Sequence, residues 1–585
     1  MIRTLARSIR EYKVSSILTP LFVSLEVIIE CLIPWLTAEM VDAITLEIES
    51  GGENGLRIIV KFGLLLVLLA ALSLTFGVLS GHFCAVASCG FAKNLRHDLY
   101  TSVQKFSFAN MDKFSTSGLV TRLTTDVTNV QMAYMMLIRT AVRCPFMLIF
   151  ALIMAIGISP KMSLAFAVII PVLAVGLFFI IRSAHPIFRS VFKKYDRLNE
   201  SVQENVHGIR VVKAFVREEH EQKKFANASN EVAADFTKAE KIMALNNPLM
   251  QFCFNAIMLI ICFFGTQLVV KTAGVELAVS EISALLTYGA QILMSLMMVS
   301  MIIVMVVMSA ASAARITEVL NEQSAIVNPK DPVTRIADGS VIFKNVSFRY
   351  SKKAEKNALS DINLYIASGQ TVGIIGGTGS GKTSLVQLIS RLYDVSDGSV
   401  QVGGVDVREY DLETLRNEVA VVLQKNILFS GTIKDNLRWG NADATDEEME
   451  RICKLAQADE FIKTFPDGYD TYIEQGGTNV SGGQKQRLCI ARALLKKPKI
   501  LILDDSTSAV DTKTDALIRK AFAEEIPDTT KIIIAQRVAS VEHADQIVVL
   551  DGGRIESVGS HEELLRRSPI YKEVYESQTQ GGKAE

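Results

Sequence analysis

The pattern of apolar and polar positions changes character near residue 320. Before that point, apolar runs approach the ~20 residues that cross a bilayer as helix. Six are predicted: Val14–Trp35, Ile58–Leu79, Leu137–Ile158, Leu164–Ile181, Pro248–Val270 and Ile282–Met308. The connections Ser80–Ala133 and Arg182–Asn247 are polar but keep helical periodicity, with few Pro or Gly. Structureless connections of that length are uncommon. At ~1.5 Å per residue, about 25 residues carry a helix roughly 35–40 Å past the bilayer, so long paired helices are expected there. Asn321–Ser340, with Pro329 and Pro332, reads as a linker. Val341–Tyr350 then alternates as a strand does, and short β-rich runs alternate with helical stretches to about Ser577, the mark of an α/β domain. The expected organisation is an all-α, six-span transmembrane domain at 1–320, a linker at 321–340, an α/β domain at 341–578 and a disordered tail at 579–585.

Composition supports this division. A chain of 585 residues exceeds one core, and 49% hydrophobic residues with a mean hydropathy of +0.28 suit a membrane protein. A net charge of −1 leaves no electrostatic footprint for a nucleic acid. Eight cysteines contain no CxxC pair, and Cys144, Cys253 and Cys262 lie in apolar runs, so they read as small buried hydrophobes. Arg3, Arg7, Arg10 and Lys13 precede the first run, and the two long connections are basic, whereas the connection after the first run carries Glu39, Asp42, Glu47, Glu49 and Glu53. Positive charge collects on the inner side, which expects the N-terminus, both long connections and the α/β domain in the cytoplasm, with the protein in the cytoplasmic membrane. No small-residue cleavage site follows the basic start, so an uncleaved N-terminus is expected.

Three motifs carry chemistry. Gly376, Gly377, Thr378, Gly379, Ser380, Gly381, Lys382 and Thr383 fit GxxxxGK[ST], between the strand-like Thr371–Ile375 and a helical pattern, Ser384–Tyr393. Such glycines let backbone N–H groups turn toward phosphate oxygens, the lysine reaches the outer phosphates, and the threonine hydroxyl faces Mg²⁺. The second motif, Lys499–Asp505 (KILILDD), is a hydrophobic strand ending in carboxylates. Asp504 is the candidate to complete the magnesium shell, and Asp505 stands where a catalytic base is expected. Ser481, Gly482, Gly483 and Gln484 form the third, preceding a helical pattern that opens another N-terminus.

In this order and spacing, residues 336–578 resemble the nucleotide-binding domain of an ATP-binding cassette (ABC) transporter, and the first 320 residues resemble a six-helix exporter half. Tyr350 matches the aromatic that stacks on adenine, Gln424 the glutamine that senses magnesium and substrate state, and Ser481–Gln484 the signature sequence. Ser508-Ala509-Val510-Asp511 match the loop after the carboxylate strand, and Glu474 the acidic element that faces the coupling helices. Ser115–Val127 and Gly208–Phe225 match the two cytoplasmic loop regions. The resemblance implies a multi-domain membrane protein, with six spans followed by an α/β P-loop NTPase domain of ABC type. ATP and Mg²⁺ are its cofactors, with Thr383, Gln424 and Asp504 around the metal and Tyr350, Gly376–Ser384 and Ser481–Gln484 around the nucleotide. It also implies a paired assembly, in which each ATP lies between one half's P-loop and the other half's signature.

Two positions depart from the family pattern. Asp505 stands where Glu is usual, and Gln536, in Lys531–Arg537, where His is usual. A base must come within ~2.6–3.2 Å of its water, and Asp is one methylene shorter. Gln still donates a hydrogen bond but carries no charge. Both losses fall on the site built from this chain's own P-loop, while the signature is intact. The resemblance therefore implies weak hydrolysis at this site, and a second half-transporter subunit in a heterodimer whose partner carries Glu and His; a homodimer that hydrolyses slowly at both sites is the competing reading. The expected cargo is a small hydrophobic or amphipathic molecule (drug, lipid or peptide). An ATP-gated regulator or channel is the alternative. Glu26 with Glu30, Arg139 with Arg143, and the face Met294, Met298, Met301, Met305, Met308 are candidate pathway residues at membrane depth. Snorkelling, pairing of opposite charges across spans one and three, and helix packing are the competing readings.

Overall fold

The computed structural model describes residues 1–580 other than 53, 273, 352–353 and 506–509, so Glu53, Ser508 and Ala509 lie outside the described residues. The chain divides into two compact units, one formed by Met1–Gln104 with Ser115–Glu322, the other by Lys105–Phe114 with Gln323–Glu585.

Inside a bilayer no water satisfies the backbone, so an unbroken helical hydrogen-bond pattern is the economical way to cross it. The first unit obeys this with six helical stretches long and apolar enough to span: Ile2–Glu49, Gly55–Gln104, Thr116–Ile158, Pro160–Phe188, Glu218–Thr272 and Val279–Asn321. Each contains one apolar run expected from the sequence. The polar connections are helical as well. The second span's helix runs on to Gln104 and the fourth's to His207, and the latter packs along Glu218–Met243 through Lys194 and Asp235, 2.8 Å apart. The third stretch is interrupted at Arg139, between the helices Val127–Ile138 and Thr140–Ile158.

Close packing fixes the start of the chain. A Cβ on Gly90 would lie 2.3 Å from the Tyr12 ring, so only glycine lets the short N-terminal segment lie against the second helix. Asp98 and Asn94 of that helix hold Ser8, whose hydroxyl donates to Asp98 at 2.7 Å. Deeper in, the Tyr288 hydroxyl donates to the Cys31 carbonyl at 2.7 Å, tying the sixth span helix to the first. Cys144 and Cys253 are buried as expected, but Cys262 is exposed. It shares an apolar face with Leu259 and Phe263, which suits lipid as solvent, so the expectation of burial inside protein fails for a reason the periodicity does not encode.

The charges at membrane depth pair across spans one and three. The Arg143 guanidinium bridges Glu26 and both oxygens of Glu30, the latter at 2.8 and 2.7 Å. Glu26 is buried and its Oε2 has no hydrogen-bond partner. Arg139 stands at the helix break and forms no ion pair among the described residues. On the sixth span, Met294, Met298, Met301 and Met308 are exposed within the chain, and Met305 is partly buried.

The second unit holds two main sheets. Strands Arg554–Gly559, Gln546–Asp551, Thr371–Gly376, Thr530–Ile534, Ile500–Asp504 and Val419–Val422 lie in that order across the larger one, all parallel except the first pair. Its middle strands are buried on both faces and mostly apolar, as parallel strands covered on both sides are. The smaller sheet, Leu359–Ile366, Val341–Phe348, Asp397–Val402 and Val405–Asp406, is antiparallel. Residues 322–340 form no helix or extended strand.

Three local expectations shift. The P-loop helix runs Lys382–Ile389 and ends before Tyr393, because Ser390 leaves the helical conformation and Arg391 takes φ +48°. The final helix, Pro569–Gln580, includes 579 and 580, assigned above to a tail whose remaining residues lie outside the described set. Residues 105–114, expected inside the first loop, belong to the second unit. There Ser107 and Asn110 form a capping box on the helix Phe108–Lys113, and the Asn110 amide bonds the Gln323 carbonyl and the Ala325 N–H, both at 2.9 Å.

Removing one partner of a buried ion pair leaves an uncompensated charge. Arg143→Met is expected to lower stability by about 2–4 kcal/mol, read as a fall in the thermal midpoint of the purified protein in detergent. Adding Glu26→Gln and Glu30→Gln is expected to recover most of the loss.

Candidate nucleotide site

The site is assembled by parallel strands in register. Ile374 pairs with Ile534, and Ile534 with Asp504, so the C-terminal ends of three adjacent strands open on one edge. The loop from Gly376 to Gly381 leaves the first of these. Gly381 has φ +95°, and a Cβ there would lie 2.8 Å from the Ala358 carbonyl, so this turn into the helix requires glycine twice over. The helix begins at Lys382, with its early N–H groups turned toward the loop. Gly377, Thr378, Gly379 and Ser380 complete the cradle, and the Lys382 ammonium donates to the Gly376 and Gly377 carbonyls at 2.8 Å each. Burial lowers the Lys382 pKa against the opposing pull of Asp504 and Asp505.

The Thr383 hydroxyl donates to Asp504 Oδ1 at 3.1 Å. Asp504 is buried, and burial raises its carboxyl pKa; Asp505 adds to the rise, whereas Thr383 and Lys382 oppose it. A hard-oxygen pair of this kind, hydroxyl beside a buried carboxylate at the mouth of a phosphate cradle, fits Mg²⁺. Gln424 reaches the same edge, donating from Nε2 to Asp505 Oδ2 at 3.4 Å.

Asp505 follows the strand with φ +48°, a left-handed turn that swings its side chain toward the neighbouring strand end. Gln536, just beyond that strand, donates from Nε2 to Asp505 Oδ2 at 2.8 Å. The structure thus brings together Asp505, Gln536 and Gln424, three residues distant in sequence, on one carboxylate oxygen.

Tyr350 is half exposed beside the P-loop helix, with its hydroxyl 2.7 Å from the Ser384 hydroxyl. Its ring packs edge-on against Phe348 and Tyr393, with centroids 4.8 and 5.1 Å away. One exposed aromatic face supported from behind suits stacking on a base. The Tyr393 hydroxyl donates to Asp112 at 2.6 Å, on the helix Phe108–Lys113. Neither Asp112 nor Tyr393 is marked in the sequence as part of this site. The only signal for that helix was the Ser107–Asn110 capping spacing, and nothing local marks its partner.

The signature forms a separate helix start. Ser481 caps Gly482–Leu494, and its N–H and hydroxyl exchange bonds with Gln484 at 2.9 and 3.3 Å. Gly482 and Gly483 occupy the first turn. This helix packs beside Ile433–Arg438 and Asp446–Leu455 rather than beside the P-loop helix, so the structure does not gather Ser481–Gln484 into the cluster around Lys382. Glu474 is exposed and accepts from the Thr478 hydroxyl at 2.9 Å. Asp511 caps Thr512–Glu525.

Comparison with known proteins agrees with this architecture. Residues 17–296 match the family described as ABC transporter transmembrane region, and residues 359–508 match ABC transporter. The uncharacterized ABC transporter ATP-binding protein YfiB of Bacillus subtilis is 35% identical over 553 residues, 94% of each chain. The probable multidrug resistance ABC transporter ATP-binding/permease protein YheI of Bacillus subtilis is 34% identical over 487 residues, 83% of each. A solved structure of a bacterial Atm1-family ABC exporter with ATP bound has the same fold, with a TM-score of 0.83 at 24% identity, over 97% of this chain and 98% of that one. With its membrane helices fused to an ATP- and Mg²⁺-binding cassette, the chain belongs to the ABC transporter family as a half-transporter of exporter fold.

Proposed function

We propose that the chain is one half of a heterodimeric exporter that uses ATP to move small hydrophobic or amphipathic molecules out across the cytoplasmic membrane, with its N-terminus and cassette in the cytoplasm. Its own P-loop, Asp504 and Asp505 build the weakly hydrolysing site, and its signature serves the partner's competent site. The observation that carries this reading is the shared oxygen of Asp505, which accepts from Gln536 at 2.8 Å and from Gln424 at 3.4 Å. A base must offer a lone pair to its water. Here the water has to displace an amide from an oxygen that is already one methylene further back than glutamate would place it.

In this reading Lys382 and the loop from Gly376 to Ser384 bind the phosphates, and Tyr350 stacks on the base. Thr383, Asp504 and Gln424 hold Mg²⁺, which when bound polarises the phosphate oxygens. Gln536 offers a neutral donor where a histidine would offer charge. Ser481, Gly482, Gly483 and Gln484 present a helix N-terminus to the nucleotide held by the partner. The site holds nucleotide for long periods and closes the assembly, while turnover elsewhere resets it. The relative described as a probable multidrug resistance transporter supports the cargo class. So does the exposed methionine face, whose flexible thioethers adapt to varied apolar ligands.

Purified alone and reconstituted, this chain is expected to turn over ATP slowly, and Asp505→Glu with Gln536→His is expected to raise the rate at least about tenfold, since a well-placed base is worth 10²–10⁴. Rapid turnover by the unaltered chain alone would sink the heterodimer reading.

In inside-out vesicles carrying the complete transporter, ATP is expected to drive uptake of a hydrophobic dye against its gradient, which a nucleotide-gated channel cannot do. Met298→Ala and Met301→Ala are expected to change the ranking of transported dyes while assembly, followed by size-exclusion chromatography, stays the same.

A further inference from the structure

The segment that carries Gln536 is held from behind by the last helix of the chain. Gln578 donates from Nε2 to the Gln536 carbonyl at 2.9 Å and accepts from the Val538 N–H at 2.9 Å. One side-chain amide therefore spans Arg537 as a neighbouring strand would, satisfying a carbonyl and an N–H just where the sheet has ended at Ile534. Val538 is buried, so water is a poor substitute acceptor for its N–H. A buried donor deprived of its acceptor incurs the full desolvation penalty.

Gln578 reaches this place because its helix is fixed to the core. Tyr571 is fully buried, its hydroxyl lies 2.7 Å from His561 Nδ1, and Val574 and Tyr575 pack on the same core. Residues 571, 574, 575 and 578 follow one helical face, so the two turns after Tyr571 deliver Gln578 to the segment. On the far side the segment is held by Thr512–Glu525, where Ser540 donates to Asp515 at 3.2 Å and Arg519 to the Ala539 carbonyl at 2.9 Å. Gln536 itself, at the start of the stretch so fixed, points its amide at Asp505.

We propose that Gln578 is a positioning residue for the nucleotide site: its amide fixes the backbone on both sides of Arg537 and so sets where the Gln536 side chain stands relative to Asp505 and a bound nucleotide. The C-terminal helix is thereby part of the ATP site although it touches no nucleotide. The nucleotide part of this inference rests on the reading of Gln536 given above; the backbone part does not.

The test uses the full chain in lipid nanodiscs. Backbone hydrogen exchange across residues 535–540 is expected to accelerate about 3- to 10-fold in Gln578→Ala, the effect of one or two lost hydrogen bonds. It is expected to rise less in Gln578→Glu, which keeps an acceptor for Val538 but loses the donor to Gln536, with the thermal midpoint little changed in both. Equilibrium MgATP affinity is expected to weaken in Gln578→Ala, and this loss is expected to vanish in a Gln536→Ala background. Unchanged exchange overturns the proposal. So does an affinity loss of equal size in the Gln536→Ala background, which would mark a merely structural role. If Gln536→Ala alone leaves MgATP affinity untouched, the nucleotide role of Gln536 fails and the positioning claim falls with it, whatever the exchange result says about the backbone bonds.

Discussion

The bond between the Thr383 hydroxyl and the Asp504 carboxylate is the point on which the nucleotide unit depends. It joins the first residues of a helix to the last residue of a strand 121 positions later. It forms only if three parallel strands keep register, since a one-residue slip would turn every side chain to the opposite face. Every residue of Ile500–Asp504 and Thr530–Ile534 is buried, and the polar ones among them hold that register, since Thr530 donates to the Gly339 carbonyl and Lys531 to the Ile526 carbonyl. Asp504, charged and buried at the end of one of them, stands against solvation physics unless a cation joins it. The unit is thus folded around a carboxylate that burial disfavours and magnesium favours.

The same economy of opposed charge recurs in the membrane unit. Arg143 is shared by Glu26 and Glu30, so a single guanidinium holds two carboxylates together at bilayer depth. Polar groups in such a setting find partners on neighbouring helices because lipid offers none. Tyr288 does so with a backbone carbonyl of the first span helix. Each of these contacts fixes the rotation of one helix against another, which apolar side chains facing apolar lipid cannot do.

Much of this was legible in the sequence. The six spans follow from run length, and the cradle Gly376–Thr383 and strand Lys499–Asp505 follow from residue types whose backbone demands are strict. The pairing of Arg143 with Glu26 and Glu30 was among the readings that helical spacing allowed. What escaped has a common physical character. Asp112 with Tyr393, Asn110 with Gln323 and Ala325, and Gln578 with Gln536 are contacts between residues far apart in the chain, made by side chains of ordinary types. No periodicity marks them, because each depends on where a distant element arrives. Cys262 failed for a different reason: hydropathy reports a preference for apolar surroundings and does not say whether protein or lipid supplies them.

The placement of Lys105–Phe114 in the second unit has a consequence for how the chain is made. Synthesis produces this stretch more than two hundred residues before the backbone that receives it, since Asn110 bonds Gln323 and Ala325, and Asp112 waits for Tyr393. The capping box of Ser107 and Asn110 can form locally at once, but the long-range bonds of the same asparagine cannot. The nascent chain therefore carries this segment through four further span helices before Gln323, Ala325 and Tyr393, its long-range partners, have been made.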